Sequence, residues 1–120
     1  MISRQLFFKW KGHFNKMLYM CYGVDGPDGP ALRDKVRQKH FEYLEANANI
    51  LVLGGATLSD NSDDRIGSLL VINVASRADA DAFAAGEPLR KAGVFKEYTV
   101  SRMRRGQWYP ENAPDSADGN

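Results

Sequence analysis

The sequence predicts an α+β domain, with four antiparallel strands and two helices on one face of the sheet. Three observations predict it. Apolar and aromatic runs alternate with helical stretches in the order strand, helix, strand, strand, helix, strand. The junctions carry turn or cap chemistry, from DGPDGP to SDNSDDR to Ser76 and Gly86. A chain of 120 residues, 43% hydrophobic and 26% charged, is enough for one domain around one core.

Residues 17–24, MLYMCYGV, are apolar and aromatic and read as the first strand. DGPDGP at 25–30 is dense with turn formers, and Pro30 suits the first turn of a helix that runs to about Ala46 or Asn47. ILVL at 50–53 reads as the second strand, weakened by Gly54 and Gly55. SDNSDDR at 59–65 is a polar turn. GSLLVINV at 67–74 is apolar enough to be a central strand. Ser76 has the chemistry to cap a helix whose third residue is Asp79. Gly86 is a natural stop for that helix, and Pro88 pushes Glu87 out of the helical region. PLRKA adds one further turn. In the fourth strand, VFKEYTVSRM at 94–103, Phe95, Glu97, Thr99 and Ser101 alternate with Lys96, Tyr98, Val100 and Arg102. The order is that of the split β-α-β, ferredoxin-like motif. Its bare sheet face carries apolar residues and needs a partner, most simply a second copy packed sheet against sheet. The domain is expected over 17–109. Residues 1–16 form an N-terminal extension, and 110–120, with almost nothing apolar to bury, a flexible tail.

The composition narrows the function. Sixteen basic against fifteen acidic side chains leave a net charge of +1, which gives no footprint for nucleic acid. The basic and aromatic residues of the extension, Lys9, Lys11, His13 and Lys16 among Phe7, Phe8, Trp10 and Phe14, come with no RNA-binding module. No apolar run approaches the roughly 20 residues of a membrane span, and the first residues lack the apolar stretch of a secretory signal. The one cysteine, Cys21, lies in an apolar strand pattern and reads as core. A reducing, cytoplasmic location is expected. Asp60, Asp63 and Asp64 lack the spacing of a calcium loop and read as a solvated turn. His13 and His40 are the only histidines and give no metal signature. There is no phosphate loop or nucleophile elbow, so no cofactor is expected.

The first helix carries the sharpest signal. At about 100° per residue, Leu32, Val36, Phe41, Tyr43, Leu44 and Ala48 fall in one half of the wheel. Asp34, Lys35, Gln38, Lys39, Glu42 and Glu45 fall in the other. His40 lies near the middle of the apolar half, with Arg33 close beside it and Arg37 a little further round. Charge on a core face must be paired or solvated by a cavity. One reading is a satisfied structural histidine, with two arginines snorkelling past the sheet edge. The other is a polar pocket between helix and sheet, in which His40 is a general acid or base and Arg33 or Arg37 binds an anionic or enolate-like ligand.

MLYMCYGVD, VRQKHFEYLEA, ILVLGGATL, GSLLVINVAS and ADAFAAGEPLRKAGVF, with a closing strand, resemble the YciI-like family in order and spacing over about residues 17–105. The resemblance implies a ferredoxin-like fold related to the dimeric α+β barrels, and a dimer or larger assembly. It implies an active centre of a histidine in the first helix, matched by His40, and an aspartate in an Asp-Pro step after the second. Here that step is Glu87-Pro88, so the carboxylate is kept but is one methylene longer. The family often has Tyr where Leu89 stands and Gly-Pro where Gly55-Ala56 stands. Some relatives act on substituted aromatic compounds with elimination steps. The resemblance therefore implies a cofactor-free lyase or isomerase working on a small aromatic or anionic substrate. His40 and Glu87 would be catalytic, and Arg33, Arg37 and Ser68 would bind substrate. The alternative is a non-catalytic dimer that binds a small molecule or a partner protein.

Overall fold

The computed structural model describes residues 15–118. The proposed extension at 1–16 thus lies outside the described residues, except for Asn15 and Lys16. Strand β1 (Met17–Asp25) leads through a turn to helix α1 (Gly29–Ala46). Strands β2 (Leu51–Leu58) and β3 (Arg65–Val74) form a hairpin. Helix α2 (Arg77–Gly86) and the single turn α3 (Pro88–Lys91) lead to strand β4 (Phe95–Met103). The sheet order is β2-β3-β1-β4 and every neighbouring pair is antiparallel. This is the ferredoxin-like α+β arrangement, with β1 and β3 in the middle.

Register decides what each face carries. Tyr19 pairs with Ile72, and Cys21 pairs with Leu70 and Val100. These side chains form the core with Val74 and with Ala80, Phe83 and Ala84 of α2, while Tyr43 and Leu44 of α1 pack against it. Both long helices therefore cover one face. On the other face Leu18 pairs with Met103, Met20 with Val71, Tyr22 with Leu69, and Leu53 with Val71.

The local chemistry explains the element ends. The Ser76 hydroxyl accepts from the Asp79 N–H at 3.1 Å, a cap worth about 1 kcal/mol. Glu87 is extended, so α2 ends at Gly86, and the chain restarts at Pro88 with Glu87 as the new cap.

Three expectations need correction. Strand β2 runs through Gly54 and Gly55 to Leu58, because β3 supplies its ladder. A Cβ at Gly54 would stand 2.7 Å from Leu70 Cδ2, so a side chain there would make Leu70 shift. The alternation in β4 fails at its start, because the register of β1 against β4 shifts between Val24 and Asp25. Phe95 then packs over Gly23, where a Cβ would meet its ring at 2.6 Å. Phe41, counted with the apolar half of α1, is 55% exposed.

Candidate active site

Helix α1 places two ionisable pairs along the side that faces the sheet. His40 is the first half of one. Its partner Glu87 lies in the break between α2 and α3, where Pro88 forces an extended residue into the middle of the layer. The Glu87 side chain is only 1% exposed, and its Oε1 lies 2.5 Å from His40 Nδ1. The same oxygen accepts from the Leu89 N–H at 3.2 Å. A carboxylate can only accept, so Nδ1 carries the proton. In the neutral ring Nε2 then holds the lone pair. The His40 side chain is 15% exposed, so the ring is not sealed from solvent.

Arg33 is two turns before His40. Its Nε donates to Asp25 Oδ2 at 2.8 Å and its terminal nitrogen donates to Asp25 Oδ1 at 2.9 Å. That nitrogen also donates to the Gly67 carbonyl at 2.9 Å, and the guanidinium lies 5.8 Å from the Phe95 ring centre. Asp25 is the residue sequence reasoning missed, because DGPDGP reads as a turn. A signal existed in Gly29. A Cβ there would stand 2.7 Å from Asp25 Oδ2, so only glycine lets the carboxylate tuck under the start of α1.

Arg37 is placed differently. Its side chain is 59% exposed and binds Asp34 on the same helix at 2.5 Å. Ser68 is buried on the helix-facing side of β3, next to the Gly67 carbonyl that Arg33 uses. The structure thus brings His40 and Glu87 into contact, puts Arg33 and Ser68 beneath α1, and leaves Arg37 at the surface. Two clefts, of about 610 and 320 Å³, are lined by other residues; the smaller one touches Tyr43 and Phe83, near the pair.

Two phenols sit in the field of Glu87. Burial pushes the Tyr43 phenol up, and the Glu87 charge adds to the shift. Burial also pushes the Tyr98 phenol up, with Cys21 and Glu87 contributing. Tyr43 donates its hydroxyl to the Phe83 carbonyl at 2.9 Å. Among the described residues no group of three or more His, Cys, Asp and Glu side chains could hold a metal ion. Among them, too, no helix is long and apolar enough to cross a membrane.

The family model of the YCII-related domain matches residues 17–104, which include both pairs. The chain belongs to the YCII-related family. A solved structure is similar to this YCII-related protein: the 5-chloro-2-hydroxyhydroquinone dehydrochlorinase TftG of Burkholderia phenoliruptrix AC1100, in complex with 2,5-dihydroxybenzoquinone. The two are 30% identical, with a TM-score of 0.70 over 75% of this chain and 96% of that one. A search of the curated proteins gave no match.

Proposed function

We propose that this YCII-related protein is a cofactor-free enzyme that uses His40 and Glu87 for acid–base chemistry on a small aromatic or anionic substrate, as a lyase or isomerase. The observation that carries the reading is the direct bond between His40 Nδ1 and a carboxylate that is 1% exposed. A histidine held this way presents Nε2 as a base in a fixed orientation. Nε2 takes a proton from a ring hydroxyl or an acidic carbon. The Nδ1 proton stays on the ring, donated to Glu87, whose negative charge stabilises the imidazolium that forms. The electron pair left on the substrate expels an anionic group with its bonding electrons, or is quenched when the proton returns at a second position. The first course is a lyase reaction, the second an isomerase reaction. Neither needs an external oxidant or reductant.

The likeness to a dehydrochlorinase supports the elimination course and a hydroxylated ring as substrate. Arg37, held among the described residues by an exposed pair with Asp34, is a cation able to swing toward an anionic substrate. Arg33 acts from behind, where Asp25 and Gly67 hold it, and Ser68 lies beside it on the floor. The working unit in this reading is a homodimer closed over the open sheet face, where Leu53 is 60% exposed. The test is chloride release from 5-chloro-2-hydroxyhydroquinone and a panel of hydroxylated aromatic and keto-acid analogues, comparing wild type with His40→Ala. Turnover of any of them that His40→Ala leaves unchanged would sink the reading.

A further inference from the structure

His40 and Tyr43 are one turn apart on α1, so they lie on neighbouring positions of one helix face. Both reach across to the end of α2. His40 meets Glu87, and Tyr43 meets the Phe83 carbonyl. That carbonyl is one of the last four of α2, which lack the usual acceptor role inside a helix. The Glu87 N–H, which a continued helix would have aimed at Phe83, goes to Ala84 instead. The phenol therefore takes the place of the missing intrahelical donor.

The contact has a built shape. The Tyr43 and Phe83 rings pack at 5.4 Å, and Phe83 is buried in the core. Gly86 lies beneath the phenol: a Cβ there would stand 2.7 Å from the hydroxyl and 3.3 Å from the carbon that bears it. A side chain at this position would force the Tyr43 phenol to shift. Burial and the Glu87 charge both keep the phenol protonated, so it stays a donor.

We propose that Tyr43 is a positioning residue for the His40–Glu87 pair. Its hydroxyl, bonded to the Phe83 carbonyl across Gly86, fixes the separation of α1 from the end of α2 at which Nδ1 of His40 meets the carboxylate. The phenol is a rigid spacer, and Gly86 sets how close it comes. The role matters because catalytic groups misplaced by about 1 Å can lose on the order of a hundredfold in rate. It rests on the reading of His40 and Glu87 as the working pair, yet it is tested without a substrate.

The experiment is proton NMR of the full chain. A proton on His40 Nδ1 in a short bond to a carboxylate resonates far downfield, and it is assigned as the signal that His40→Ala removes. In Tyr43→Phe, which loses only the hydroxyl, this signal should move upfield or vanish through solvent exchange while the amide spectrum stays that of a folded protein. Gly86→Ala, which keeps the hydroxyl and displaces it, should do the same. An unchanged downfield signal in both variants overturns the proposal. So does loss of the folded amide spectrum in both, since Tyr43 would then support the core and not the pair. A wild type with no such signal overturns the positioning role together with the pair. A signal that responds as expected, beside turnover that His40→Ala leaves unchanged, keeps the positioning role and removes the acid–base reading alone.

Discussion

Helix α1 carries two pairs of opposite character, two turns apart. In the Arg33–Asp25 pair both side chains are nearly buried, and the guanidinium spends its bonds on two carboxylate oxygens and a backbone carbonyl. In the His40–Glu87 pair one bond joins the partners and one ring nitrogen is left over. The field around them differs as well. The Glu87 charge raises the Tyr43 and Tyr98 phenols, and Asp25 is not among the causes of either shift. Buried charge does not by itself mark chemistry. A saturated pair ties helix to sheet, and an unsaturated pair that contains a titratable ring can move a proton.

The widest way to break this comparison is to remove one member of each pair. His40→Ala should lower turnover by about 10²–10⁴-fold, the usual contribution of a positioned acid or base, and leave the chain folded, with some stability lost because the buried Glu87 loses a hydrogen-bond partner. Rate assays beside thermal melts check both halves. Asp25→Ala should act on stability and not on the chemistry. It strands a buried guanidinium and should cost about 3–5 kcal/mol of stability. Chemical denaturation measures that loss. If Asp25→Ala melted like wild type while His40→Ala unfolded, the assignments of structure and chemistry would have to be exchanged.

The fold was legible because its signals are local. Ser76 caps α2, Pro88 breaks the helix at Glu87, and the apolar runs of β1 and β3 give the centre of the sheet. His40 was legible because a histidine in the apolar half of a wheel contradicts its surroundings. The partner of His40 came from the family resemblance, since nothing local ties residue 40 to residue 87. Asp25 was hidden because its role appears only when α1 folds back over β1 and puts Arg33 beside it. The reach of β2 was hidden for the same reason: Gly54 and Gly55 look like a break until β3 is seen to pair with both, with Leu70 packed against Gly54. Where the sequence misled, a contact between distant elements had overridden a local propensity.

Glu87→Gln sharpens the comparison at its middle range. The amide keeps an acceptor oxygen for His40 and Leu89 but loses the charge. Turnover should fall about 10–100-fold, from the roughly 1.5–3 kcal/mol carried by a hydrogen bond to a charged group. Glu87→Asp should retain activity if the shorter carboxylate still reaches His40. The same Gln variant has a readout independent of turnover. Its lost charge should let Tyr43 and Tyr98 ionise at lower pH than in wild type, with both still above the ordinary phenol value because burial is the larger cause. Tyrosinate absorbance through an alkaline titration follows this. An unchanged titration would mean that Glu87 is not the charge these phenols feel.

The smallest effect is expected at Arg37, which tests whether a cation on α1 outside both pairs belongs to the site. Among the described residues it bonds to Asp34, three residues away on the same exposed face. Pairs of that kind contribute little, so Arg37→Ala should change stability by less than about 0.5 kcal/mol. Arg33→Ala, which leaves Asp25 buried and unpaired, should cost several times as much. The comparison of interest is therefore in binding. If Arg37 swings to an anionic substrate, Arg37→Ala raises KM and leaves kcat close to wild type, as loss of a contact made equally in ground and transition states does. Arg37→Lys should recover part of the affinity, because charge survives while the bidentate geometry does not. Raising the salt concentration should weaken substrate binding in wild type and have little effect in Arg37→Ala, since an exposed cation acts through a screened field. A KM that is the same in Arg37→Ala and wild type at low salt would restrict the site to the buried side of α1, with His40 and Glu87 as its chemistry and Arg33 as its frame.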